Sequence, residues 1–123
     1  MLTIIHGDDT QKSRDHLNQI RAHTTNREIR SLEGRSLEEH ALIQALQSQS
    51  MFGGDLSIFI DRLFGSLGKK TKQIAQYATI LTQASTQVDI IVWEDRELSA
   101  GTLKLLAPKA AVHLFKMPVV LFC

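Results

Sequence analysis

The sequence predicts a three-layer α/β sandwich around five mostly parallel strands. Short apolar runs bounded by turn residues recur along the chain, with longer polar-amphipathic segments between them, which is the alternation that βαβ units produce. Three of the later runs, "LSIFID" (56–61), "VDIIVW" (88–93) and "AVHLF" (111–115), are almost continuously hydrophobic. Such runs imply burial on both faces, and therefore helices on each side of a parallel sheet. At 123 residues the chain fits one domain with one core.

The elements follow in order. Residues 2–5 read as the first strand, followed by "GDDTQKS" and a helix to about Arg21 whose Leu17 and Ile20 face inward. Residues 27–32 form a weak second strand, punctuated by Gly34. Ser36 and Glu39 fit a capping box, in which the Ser36 hydroxyl accepts from the Glu39 amide and the Glu39 carboxylate reaches back. Leu37, Ala41, Leu42, Ala45 and Leu46 then mark the inward face of a helix ending near Gln49. The third strand covers 56–61, and residues 65–70, "GSLGKK", read as a flexible basic loop. Ile74, Ala78, Leu81 and Ala84 keep helical spacing in the crossover to the fourth strand at 88–93. A short helix over 98–106, stopped by Pro108, leads to a fifth strand at 111–115. The closing apolar run "PVVLFC" reads either as a last packed element or as a cut at a domain boundary.

Composition narrows function by exclusion. Fourteen Lys and Arg against thirteen Asp and Glu give a net charge of +1, which by itself supports neither nucleic-acid nor membrane attachment. Cys123 is alone, so no internal disulfide framework exists, and a reducing cytoplasmic setting is expected. No run approaches the roughly 18 apolar residues of a membrane span, and "MLTIIHGDD" turns acidic too early for a secretory signal.

The candidate chemical motifs fail on their own terms. A strand, a glycine and then Lys12-Ser13 opening a helix invite comparison with a phosphate-binding loop. Here the spacing is one residue short and the second glycine is absent. Asp8 and Asp9 would also repel a triphosphate, and Asp9 or Thr10 serves better as a helix cap. Glu94 and Asp95, after four apolar residues, resemble a magnesium-binding strand end, but without a phosphate loop they are expected to be solvated or salt-bridged. Asp8, Asp9 and Asp61 could instead converge at the carboxyl edge of the sheet as a magnesium-dependent phosphoacceptor, with Asp61 as nucleophile and Lys116 as its partner. Trp93-Glu94 and Arg62-Leu63-Phe64 stand where that reading wants a small hydroxyl residue and a Met-Pro turn. His6, His16, His23, His40 and His113 show no metal-ligand spacing, and no serine sits in a G-x-S-x-G elbow. No metal or cofactor is expected.

One stretch, "QSMFGGD" (49–55), is unusual. Continuing the helical stripe would bury position 49, yet that residue is Gln, and the apolar pair Met51-Phe52 arrives two residues late, before Gly53-Gly54. One of the two can tuck under the core. Exposed together, they would form a compact docking spot, with Met the adaptable contact and Phe the rigid anchor.

Three stretches taken together, "LTIIHGDD", "GRSLEEHALIQALQSQSMFGGDLSIFID" and "VDIIVWEDRELSAGTLKLLAPKAAVHLF", resemble the amino-terminal domain of the delta subunit of the bacterial DNA polymerase III clamp loader. The resemblance implies an AAA+/P-loop NTPase-like fold without a functional phosphate-binding loop. It also implies that residues 1–123 are one such domain, with the lid and collar domains absent from this chain. It further implies a component of the DNA polymerase III holoenzyme with no intrinsic catalysis. Its implied partners are the ring-shaped sliding clamp (beta subunit) and other loader subunits, with primer-template DNA met only through the whole complex and no membrane contact. The family opens the clamp with an apolar pair, commonly Leu-Phe, which maps onto Met51 and Phe52, with Gln49 at the rim. Met for Leu conserves volume and apolarity. A purely structural domain that docks on other loader subunits is the remaining alternative.

Overall fold

A computed structural model describes residues 1–24, 27–47 and 55–117. In chain order the elements are β1 (Leu2–His6), α1 (Thr10–His23), β2 (Arg27–Glu33), α2 (Glu39–Gln47), β3 (Asp55–Asp61), α3 (Phe64–Leu67), α4 (Thr71–Ala84), β4 (Asp89–Trp93), α5 (Ala100–Leu106) and β5 (Ala110–Leu114). The five strands lie in the order β2-β3-β4-β1-β5, and every pairing is parallel. Ile4 sits level with Val92 on one side and Val112 on the other, and Phe59 is level with Ile91.

Period-two alternation splits the strands between two cores. Leu2, Ile4, Leu56, Ile58, Ile60, Ile90 and Val92 face the larger one, where α2 contributes Leu42 and Leu46, α4 contributes Ile74, Ala78 and Leu81, and α5 contributes Leu106. On the opposite face Ile5, Phe59, Ile91 and Trp93 pack under Leu17 of α1. Polar contacts lock α1 in place: the Trp93 indole donates to the buried Ser13 hydroxyl at 3.0 Å, and the Arg14 guanidinium lies 3.8 Å from the centre of the same ring. Tyr77 of α4 donates to the Leu37 carbonyl at 2.9 Å and ties the crossover to the chain entering α2.

The α/β sandwich agrees with the expectation from sequence, and several details correct it. The strand buried throughout is β1, whereas β5 exposes Val112, His113 and Leu114. The reason is strand order: β1 has a neighbour on each side, and among the described residues β5 has only β1. The Ser36–Glu39 capping box does not form. Ser36 ends a 3-10 turn (Gly34–Ser36), and α2 starts at Glu39, with the Glu38 carbonyl accepting from Leu42 at 2.9 Å. The expected basic loop at 65–70 opens with the one-turn helix α3, in which Ser66 donates to the Leu63 carbonyl at 2.7 Å. The short helix predicted over 98–106 begins at Ala100, capped by the Ser99 side chain, with Leu98 buried ahead of it. The terminal run "PVVLFC" lies outside the described residues.

The two cores make a graded prediction. Leu81→Ala deletes a fully buried side chain and should lower unfolding free energy by about 2–5 kcal/mol in urea denaturation. Leu114→Ala on the exposed edge should stay within about 0.5 kcal/mol of the parent.

Candidate functional site

Parallel strands give the sheet two chemically different edges, and the carboxyl edge is where an α/β sheet of this kind places a ligand. Here the loop from β1 to α1 is already filled by protein. The Gly7 amide donates to the Arg96 carbonyl at 3.1 Å, and the Asp9 amide donates to the Phe115 carbonyl at 2.9 Å. The Asp9 side chain caps α1 by accepting from the Lys12 amide at 3.1 Å, and its carbonyl accepts from Ser13 at 3.1 Å. The Asp8 carboxylate accepts from the Met117 amide at 2.7 Å. The Gly7, Asp9 and Lys12 amides of this loop are thus already bonded within the chain.

Gly7 makes this closure sterically possible. Its φ is +127°, and a Cβ there would lie 2.0 Å from the Phe115 carbonyl oxygen. The chain leaving β5 therefore runs directly against the loop that leaves β1, occupying space that a bound ligand would need.

The acidic phosphoacceptor cluster does not assemble. Asp61 pairs with Arg62 at 2.7 Å and with Arg14 at 3.4 Å, while Lys116 pairs with Glu97 at 3.8 Å. Asp8 and Asp9 serve the backbone as above. Among the described residues no group of three or more His, Cys, Asp or Glu side chains is placed to hold a metal.

Glu94 departs furthest from its expected solvated or salt-bridged state. It is fully buried, and its two carboxylate oxygens accept from the Phe64 amide at 2.8 Å and the Gly65 amide at 2.9 Å. Burial pushes its pKa up to about 7; the Gly65 and Phe64 amides oppose that rise, and the charge of Asp95 adds to it. The signal was present in the sequence, since alternation puts position 94 on the same face as Ile90 and Val92. His6, the last residue of β1, is likewise buried. Its Nδ1 accepts from the Leu98 amide at 3.0 Å, and burial lowers its pKa despite the nearby Glu97.

The amino edge is where the apolar stretch of the sequence attaches. There the Arg27 guanidinium bridges Asp89 at 2.7 Å and Asp55 at 3.8 Å, and the Met1 ammonium reaches Asp89 at 3.3 Å. Leu42 and Leu46 are the last buried residues of α2, which ends at Gln47, and β3 begins at Asp55. Gln49, Met51 and Phe52, the residues expected to bind a partner, lie outside the described residues, as does Gly53-Gly54. β3 begins, at Asp55, on the amino edge, across the sheet from the closed β1 loop.

No family model matches the chain, and no curated protein matches it. Among solved structures it is similar to the Bacillus subtilis DNA clamp loader delta protein (YqeN), with a TM-score of 0.70 over 94% of this chain at 12% sequence identity. The chain spans 38% of that protein's length. The likeness is one of fold: a five-stranded, all-parallel α/β sheet of the clamp loader delta kind.

Two measurements probe the carboxyl edge. Gly7→Ala should disrupt the β1 loop and lower the thermal midpoint sharply, because the new Cβ meets backbone and the positive φ disfavours any side chain. Glu94 links stability to pH. Its folded pKa of about 7 lies above the ordinary 4.5, so between those values the native state holds a proton that the unfolded chain has lost. Its contribution is therefore full below pH 4.5 and declines as pH rises through 7, by about 3 kcal/mol in total. His6 acts in the opposite sense, losing stability as pH falls below its ordinary 6.5. Because Glu94→Gln leaves the histidine in place, the difference in unfolding free energy between variant and parent should shift by that amount in the variant's favour from pH 4.5 to 8. A constant difference would contradict the assignment.

Proposed function

We propose that this chain is a catalytically silent, delta-type clamp-loader domain that binds a sliding clamp and helps to open its ring during DNA replication. The observation that carries the reading is a delta-like fold whose Gly7 and Asp9 amides, at the β1 loop, are already bonded to the Arg96 and Phe115 carbonyls. A subunit of this sort contributes binding energy, while ATP is hydrolysed elsewhere in the assembly. Its partners are the beta clamp and the other loader subunits of the DNA polymerase III holoenzyme, in the cytoplasm, with primer-template DNA engaged only by the full complex. Residues 1–123 correspond on this reading to a degenerate AAA+-like amino-terminal domain.

Met51 and Phe52 are the proposed wedge, seated in a hydrophobic pocket of the clamp with Gln49 at its rim. The flanking elements support this reading: α2 runs to Gln47 and β3 begins at Asp55, at the sheet edge opposite the closed loop. Burying two such side chains contributes roughly 3–6 kcal/mol, or about two to four powers of ten in affinity.

The paired substitution Met51→Ala and Phe52→Ala should therefore abolish measurable binding to the clamp of the same organism in calorimetry, with the circular dichroism spectrum unchanged. Unaltered clamp affinity in the folded double variant would overturn the wedge. Capture of other loader subunits without the clamp would favour a purely structural docking role.

A further inference from the structure

The histidines differ in how their ring nitrogens are used. His6 and His23 each commit Nδ1 to the backbone, at the Leu98 amide (3.0 Å) and the Gln19 carbonyl (2.7 Å). His16 is different: its Nε2 is buried and has no hydrogen-bond partner among the described residues. A buried polar atom left without a partner is uncommon in native folds, and a bound ion is one of the ways such an atom is satisfied.

The partner chemistry stands next to it. His16 on α1 faces His113 on β5, with ring centroids 5.0 Å apart and planes inclined by 51°. Phe115, on the same side of β5 as His113, packs against the His16 ring at 5.2 Å and forms an apolar wall. Two imidazoles bound to one tetrahedral ion, each nitrogen about 2 Å from it, place their ring centroids about 5 Å apart. The spacing across the α1–β5 contact matches that arrangement.

We propose that His16 and His113 form a two-imidazole site for a borderline first-row divalent ion such as zinc, nickel or copper(II), bridging α1 to the edge strand β5. Neutral imidazole suits these ions, whereas magnesium and calcium require oxygen ligands that this pair does not supply. With two protein ligands the remaining positions belong to water, so the ion exchanges readily. Its structural effect falls on β5, which has a single strand neighbour and an exposed outer surface. A bound ion would pin that strand to α1.

The test is a titration of the full chain with zinc(II) followed by the imidazole C–H resonances, with magnesium(II) as control and the thermal midpoint as a second readout. Zinc should shift the His16 and His113 signals saturably, leave those of His6 and His23 in place, and raise the midpoint, while magnesium does neither. His16→Ala and His113→Ala should each weaken zinc binding by at least the roughly tenfold that loss of even a supporting contact brings, and His40→Ala should leave it unchanged. His113 is exposed, so His113→Ala decides the matter if His16→Ala does not fold. Absence of a saturable shift at millimolar zinc, or binding that survives His113→Ala or is lost in His40→Ala, would overturn the proposal.

Discussion

The backbone contact between the end of β5 and the loop after β1 is the constraint on which the rest of this structure depends. It needs a residue without a side chain at position 7, and it uses the Gly7 and Asp9 amides as donors to Arg96 and Phe115. In a nucleotide-binding sheet those donors would be kept for an anion. Here they hold three segments of chain together, and Asp8 adds a carboxylate bonded to Met117. A loop that is locally similar in sequence to a phosphate cradle has thus become a structural joint.

Closing one edge directs attention to the other. The carboxyl edge is stabilised by mutually satisfied groups: the buried Glu94 holds the start of α3, the buried His6 holds Leu98, and the half-exposed Asp61 lies between two arginines. Such a network rigidifies the scaffold and offers little to a ligand. At the amino edge, by contrast, surface ion pairs surround the place where the chain between α2 and β3 departs. The proposed clamp contact assigns the protein-binding role to the apolar residues Met51 and Phe52 of that connection, which lie outside the described residues.

Much of this was legible in the sequence because burial and period-two alternation leave a direct trace. "LSIFID" and "VDIIVW" are, with β1, the strands flanked on both sides within the sheet, and Asp9 caps α1 as its position suggests. What could not be read was anything set by strand order. The run "AVHLF" looks as buried as the others, yet it lies at an edge, and nothing local in its composition reveals that. Glu94 differs from expectation because acids at strand ends are usually solvated, although parity with Ile90 and Val92 points inward. The meeting of His16 with His113 joins residues far apart in the chain and left no spacing signal at all. Met51 and Phe52 rest on the sequence argument alone, since they lie outside the described residues.

The central claim is that this domain engages a protein partner through the segment between α2 and β3 and engages no nucleotide at its closed edge. Amide hydrogen exchange of the chain, free and mixed with the sliding clamp or with magnesium-ATP, measures both halves at once. The account predicts clamp-dependent protection confined to peptides spanning residues 47–55, and no change around residues 6–12 or 94–98 under either addition. Protection of the 6–12 peptide by magnesium-ATP, or clamp-dependent protection that leaves 47–55 unaffected, would contradict it.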